Sequence, residues 1–386
     1  MNRLEILDGL RGYFLVFMLL NHLRFAGGYM LVKINHAELG FVEDAQGFVF
    51  LSGLLIGMVY SRKMARQGFG PAAGAIWSRA SELYGYALGC LVVVLVLHRL
   101  LPDSDIYWGP WLHDLDLGAA RLMTAAAALL YQPTYMDILP QYIVYLIVAP
   151  PLVWLCVRGR WHWVASGCVV AWLATQLGLH LPAATAIHDA WALRAHFNVL
   201  TWQVLFIGGM ILGALTVSGQ IDWERVFRPD RPHLAVVASV ALLFFLIWRI
   251  WTSYFPIPDP LMERFVAHGN RGEFGLIYLL NFAALAYLVT WTIRAGPDAA
   301  HAPVRRMAGL LSGLFTLSFL RLLGRHSLQV YAWHVILVYL LKAVDHGIGP
   351  FNEATKTLIA LTGVMLLAVP ALLRERPRRE LSHSHG

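Results

Sequence analysis

The sequence predicts an all-α, polytopic integral membrane protein: a helical bundle of about ten transmembrane helices with both termini in the cytoplasm. Three observations predict it. Of the 386 residues, 58% are hydrophobic and only 14% charged, against roughly 25% charged in soluble globular domains. The apolar residues fall in blocks of about 20, the length that crosses a hydrocarbon layer. Many of the 14 tryptophans and 15 tyrosines stand near block ends, as interfacial aromatic residues do.

Along the chain, spans are expected near 12–31, 42–60, 81–100, 138–157, 161–181, 197–217, 234–252, 274–292, 326–343 and 355–373. With the N-terminus inside, most of the 30 Lys+Arg fall in the segments expected in the cytoplasm, which sets the orientation. Segment 117–130 is apolar but short, and acidic residues flank it (Asp114, Asp116 and Asp137). If it crossed, the Arg158–Arg160 turn and the Arg-rich C-terminus would land outside, so it reads as a helix lying at or re-entering from the periplasmic face. Residues 305–321 read as a cytoplasmic amphipathic or re-entrant piece. Residues 1–373 form one membrane-embedded domain, and 374–386 a basic, polar cytoplasmic tail. The first apolar block is too long for a cleaved signal peptide.

Composition also excludes some functions. The net charge of +7 sits in short loops between apolar blocks, where it encodes topology, so no nucleic-acid partner is expected. Cys90, Cys156 and Cys168 lie in apolar stretches without metal-ligand spacing, so no metal site is expected.

The ionisable residues inside the spans carry the chemistry. Eleven helical steps carry His22 roughly 16 Å in from Arg11, and close to three whole turns place both on one face. An ionisable group at that depth is expensive in lipid and marks a functional site, or else a histidine bonded within the bundle. His334 lies about two turns into the ninth span. Two converging imidazoles would supply a general base and an orienting or oxyanion partner. Of the acidic pair Glu43-Asp44 at the mouth of the second span, Asp44 is the first choice to orient His22. Arg11, Arg79 and Arg325 fall at cytoplasmic helix ends, where they enforce topology or together bind a phosphate-rich ligand. On the other face, Asp137, Gln141, Asn198, Trp202 and Gln203 mix polar and aromatic groups as a sugar site does, and as interfacial anchors also do.

Leu7-Asp8-Gly9-Leu10-Arg11-Gly12 with His22, Phe48-Val49-Phe50-Leu51-Ser52-Gly53, and Leu323-Gly324-Arg325-His326-Ser327-Leu328 with Tyr331 and His334 resemble the signatures of the family-three membrane acyltransferases. Asp137-Ile138-Leu139-Pro140, Phe197-Asn198 through Trp202-Gln203, and Glu82-Leu83-Tyr84 resemble the OpgC branch, which succinylates osmoregulated periplasmic glucans. The resemblance implies a bacterial inner-membrane enzyme that moves an acyl group from cytoplasmic acyl-CoA, with succinyl-CoA the first expectation, to a hydroxyl of a periplasmic glucan or other polysaccharide. It implies His22 as catalytic histidine and Arg11 on the donor side. Arg79 matches the first arginine of a paired motif whose second position is here Glu82. A transporter or flippase using the histidines as a proton relay is the rival reading, and a structural scaffold in a glucan-synthesis complex a third.

Overall fold

The computed structural model describes residues 3–113, 115–191, 196–256, 258–260, 263 and 269–375. Its helices are α1 (Arg3–His22), α2 (Asp44–Gln67), α3 (Phe69–Leu100), α4 (Ser104–Leu112), α5 (Ala119–Ala127), α6 (Ile138–Val157), α7 (Trp161–Gln176), α8 (Leu181–Trp191), α9 (Val199–Val217), α10 (Trp223–Val226), α11 (His233–Tyr254), α12 (Leu276–Arg294), α13 (Ala302–Phe315), α14 (Ser318–Arg325), α15 (Ser327–Ile348) and α16 (Glu353–Leu366). Among the described residues there is no β-strand. Among the described residues eight helices are long and apolar enough to cross a membrane, or up to ten if each of two bent pairs is one span. The eight are α2, α3, α6, α9, α11, α12, α15 and the run Glu353–Glu375 that begins with α16. The bent pairs are α7 with α8, at 74°, and α13 with α14, at 53°. The chain is therefore a multi-pass membrane protein.

Two expectations change, and the reading of 117–130 as a helix that does not cross is kept. The span expected at 161–181 bends sharply after Gln176. Segment 117–130 is helical only over the nine residues of α5, about 13 Å and too short to cross. The first helix covers 3–22 rather than 12–31. It ends at His22, and a little further on Gly27 and Gly28 turn the chain with φ of 76° and 71°, values open to glycine. The outgoing chain is then tied down. Lys356 Nζ donates to the carbonyls of Ala26 and Gly28 at 2.9 and 2.7 Å, and Asp345 Oδ2 accepts from Ala26 N at 3.1 Å. Of the tail expected at 374–386, residues 376–386 lie outside the described residues, as does Asp114.

Lipid offers no hydrophobic drive for helix association, so contacts rest on close packing between small residues. Gly53 and Gly57 of α2 face Gly209 and Gly213 of α9. A Cβ on any of the four would run into a carbonyl oxygen of the opposite helix: Phe206, Met210, Phe50 and Leu54 in turn. Likewise a Cβ on Gly12 would meet the Leu320 carbonyl, and one on Gly324 the Asp8 carbonyl, so α1 and α14 touch backbone to backbone. Of the charges that set α1 apart from the eight apolar helices, Asp8 and Arg11 are partly buried and Glu5 pairs with Arg321 of α14 at 3.2 Å. Residues 305–321 thus belong to a broken pair packed on α1.

Helix α15 runs alongside α1, with Arg11 bonded to Ser327 and His22 to His334. Beyond His334, α15 climbs about 20 Å further, while α1 stops. Helix α2 starts at the same level, where Asp44 Oδ2 accepts from Asn21 Nδ2 at 2.5 Å. Irregular backbone at such depth is tolerated where it lines a water-filled cavity. Residues 23–43 fill part of that upper space. His36 reaches back among Tyr13, Phe14 and Phe17, with ring centroids 5.7, 6.0 and 6.2 Å away. Burial there pushes its imidazole down to about 4.

Two predictions follow from this packing. Gly53→Ala and Gly209→Ala should each destabilise the detergent-solubilised protein by about 1–3 kcal/mol, read as earlier thermal unfolding. Gly85→Ala, which adds its methyl to open space, should leave the transition unmoved. For His36, the unfolded chain takes up the proton first, near pH 6.5. Its contribution to stability is complete above that pH and declines toward pH 4 by up to about 1.4 kcal/mol per unit. His36→Phe should flatten this part of the stability profile, and an unchanged slope would show that His36 is not the group responsible.

Candidate active site

Where α1, α2 and α6 end, a cavity of about 780 Å³ opens, with Asn21, His22, Asp44 and Asp137 in its walls. Three helix termini therefore converge on it: the C-terminus of α1 at His22, and the N-termini of α2 at Asp44 and α6 at Asp137. Exposed Arg24, Glu38 and His196 also line it, so the cavity communicates with solvent on this face.

His22 and His334, 312 positions apart, meet at 3.2 Å between Nδ1 of the former and Nε2 of the latter. The Nδ1 of His334 lies 2.5 Å from the backbone carbonyl of Tyr331. A carbonyl oxygen can only accept, so this nitrogen carries the hydrogen. Neutral His334 then offers Nε2 as an acceptor, and His22 Nδ1 donates to it. By this hydrogen-bond assignment, His22 Nε2 is left as the nitrogen with a free lone pair. His334 is fully buried, whereas His22 lines the cavity. The pair thus presents one basic nitrogen to a solvent-connected space.

Tyr135 holds the other side of His22. Their rings stack with centroids 4.1 Å apart and an interplanar angle of 23°. Tyr135 adopts φ 71°, a left-handed conformation that is strained for a bulky residue. It is held there by the Tyr331 hydroxyl, which donates to the Tyr135 carbonyl at 3.0 Å. Tyr331 therefore serves both residues: its carbonyl sets the His334 tautomer and its hydroxyl fixes the ring over His22. In the sequence Tyr135 is only the flank of a short apolar block, and no local pattern marks it.

Asp44 does not take the place expected for it. Its Oδ2 accepts from Asn21 and from Asn35 Nδ2, at 2.5 and 3.2 Å, and its Oδ1 lies 3.7 Å from His36 Nδ1. The partner of His22 is His334, and Asp44 bonds instead to the side chain of the adjoining Asn21. Its chief contacts anchor the 30–39 segment to the start of α2.

Of the five residues expected to bind sugar, only Asp137 lines the cavity. The other four are engaged in packing. Gln141 Nε2 donates to the Tyr145 hydroxyl at 2.8 Å, and Gln203 Nε2 to the Cys168 carbonyl at 2.7 Å. Asn198 caps α9 through Leu200 N at 2.9 Å and donates to Glu273 Oε2 at 2.8 Å. Trp202 is fully buried and donates to the Gly272 carbonyl at 3.1 Å. Through that bond it secures the loop that carries Arg271, a cavity residue the sequence does not distinguish.

The three arginines expected on the donor side lie away from the cavity. Arg11 donates to Ser327 Oγ and sits 5.7 Å from the Phe48 ring centroid. Its Nε is buried and unpartnered. Arg79 pairs with Glu82 at 2.5 Å, and half-exposed Arg325 with Glu375 at 3.3 Å. Phe48 in turn packs on the cavity residue Tyr331, centroids 6.2 Å apart, so its ring touches both Arg11 and a residue of the cavity wall. Among the described residues no cluster of three or more His, Cys, Asp or Glu could hold a metal ion.

No curated protein and no solved structure was found to match the chain. The family model described as OpgC protein matches residues 3–379, a stretch that takes in both histidines, the glycine contacts and every helix end around the cavity. The chain belongs to the OpgC protein family.

Proposed function

We propose that the protein is a membrane-bound O-acyltransferase that moves an acyl group, succinyl in the first instance, from cytoplasmic acyl-CoA to a hydroxyl of a periplasmic glucan. In this reading it sits in the bacterial inner membrane with both termini inside, and the cavity faces the periplasm. The family membership supports acyl transfer in general. The observation that carries the mechanism is the ordered chain from His22 through His334 to the Tyr331 carbonyl.

The acceptor hydroxyl enters from the cavity and hydrogen-bonds to His22 Nε2. As its oxygen attacks the thioester carbonyl, Nε2 takes the hydroxyl proton and the new C–O bond forms. The tetrahedral intermediate then breaks its C–S bond. The departing CoA sulfur recovers the proton from the imidazolium, which returns His22 to its starting state. His334 accepts from Nδ1 throughout and spreads the transient charge over two rings, as an orienting partner does in general-base catalysis. Arg11 serves the donor from the inner side, with Arg79 and Arg325 toward the cytoplasmic end.

Purified protein in detergent, given labelled succinyl-CoA and soluble glucan, should transfer label and release CoA without a membrane gradient. His22→Ala should lower the rate by roughly 10²–10⁴-fold, and His334→Ala should lower kcat with little change in the KM for glucan. Full activity of folded His22→Ala would exclude this mechanism. Solute flux in liposomes without CoA release would point to the transporter reading instead.

A further inference from the structure

Three arginines line the cavity among the described residues, Arg24, Arg249 and Arg271. Two have partners. Arg24 Nε lies 3.4 Å from the Tyr135 hydroxyl, and Arg271 Nε is 2.5 Å from Glu43 Oε2. Among the described residues the Arg249 side chain has neither a hydrogen bond nor an ion pair, and its Nε is shielded from solvent without a partner. It lies in α11, an apolar helix long enough to cross a membrane, about 8 Å short of that helix's outer end.

An arginine so placed is costly unless it snorkels to the interface or serves a site. Snorkelling does not describe Arg249, because it turns inward. Its guanidinium lies 5.9 Å from the centroid of the buried Phe41 ring. Phe41 is itself fixed from α12, where Asn281 Oδ1 accepts from Phe41 N at 2.5 Å. The cation is thus stacked on a rigid platform against the cavity wall. Arg271 is on the same wall, and its ion pair with Glu43 uses Nε, leaving the terminal amino groups of its fork. Glu43 is ion-paired with Arg271 and not with Arg249, so the Arg249 guanidinium is the one of the two with no carboxylate bound to it.

We infer that Arg249, assisted by Arg271, is the recognition site for a carboxylate-like oxyanion on the substrate, and so a specificity residue of the cavity. This rests on the acyl-transfer reading. The oxyanion has two possible sources, the distal carboxylate of a dicarboxylic acyl group or an anionic substituent on the acceptor glucan. A planar guanidinium fork suits either, and a lysine ammonium does not reproduce the paired contact.

The test compares wild type, Arg249→Gln and Arg249→Lys, each shown to elute and unfold as a single folded species. In the binding arm, succinate should raise the unfolding temperature of wild type while dimethyl succinate does not, and Arg249→Gln should lose the shift. Lack of a wild-type shift, or an equal shift in Arg249→Gln, would overturn the inference. In the transfer arm, succinyl-CoA and the isosteric butanoyl-CoA are each offered with plain and with carboxymethylated glucan. A roughly 10- to 100-fold loss in Arg249→Gln with succinyl-CoA on plain glucan, but not with butanoyl-CoA, identifies the acyl carboxylate. A loss confined to carboxymethylated glucan identifies the acceptor. Equal loss in all four combinations, or none, overturns the inference. If wild type releases no CoA in any combination, the acyl-transfer reading fails, while an Arg249-dependent succinate shift would still establish the anion site.

Discussion

A backbone carbonyl cannot donate a hydrogen bond, and the chemistry of this protein's interior follows from where one such oxygen sits. Tyr331 O lies against His334 Nδ1, so His334 must present its other nitrogen as an acceptor, and His22 must donate to it. The orientation and tautomer of the cavity histidine are therefore set from three residues back on a different helix. The same residue's hydroxyl holds Tyr135 over the His22 ring. One turn of α15 thus fixes the imidazole by two contacts.

The architecture makes room for this arrangement by stopping helices short. Helices α1, α2 and α6 all have termini at the cavity, while α15 continues past it. A helix end within a bilayer exposes backbone groups that lipid cannot satisfy. Here the ends open onto a polar, solvent-connected space, and the 23–43 segment brings Asn35 and His36 to meet Asp44. The glycine contacts allow such irregularity elsewhere. With α2 locked on α9 and α1 on α14 at backbone distance, the bundle keeps its registry without depending on the shortened ends.

Much of the fold was legible because bilayer thickness imposes a length on apolar runs. Spans such as 138–157 and 234–252 were readable nearly to the residue, as α6 and α11. The end of α1 was not, since Leu23 and the apolar residues beyond it continue the hydropathy pattern although the helix has already ended at His22. The histidines stood out because an imidazole deep in an apolar block is expensive. Asp44, Gln141, Asn198, Trp202 and Gln203 drew attention for being polar or aromatic near helix mouths. That property serves capping and interhelical bonding as well as ligands, and only the three-dimensional partners separate the two uses. Tyr135 and Arg271 carry no local signal, and the one that Arg249 carries, a charge inside an apolar block, does not show what it faces. Their importance comes from residues distant in sequence, such as His22, Phe41 and Glu43.

The ¹⁵N resonances of the His22 side chain, assigned by comparison with His22→Ala, test the account most directly. In the resting protein at neutral pH they should show Nδ1 protonated and Nε2 bare, with a coupling or through-space contact to His334. The opposite tautomer, or an imidazolium with both nitrogens protonated, would contradict the account, because His22 would then have no lone pair to offer a hydroxyl in the cavity.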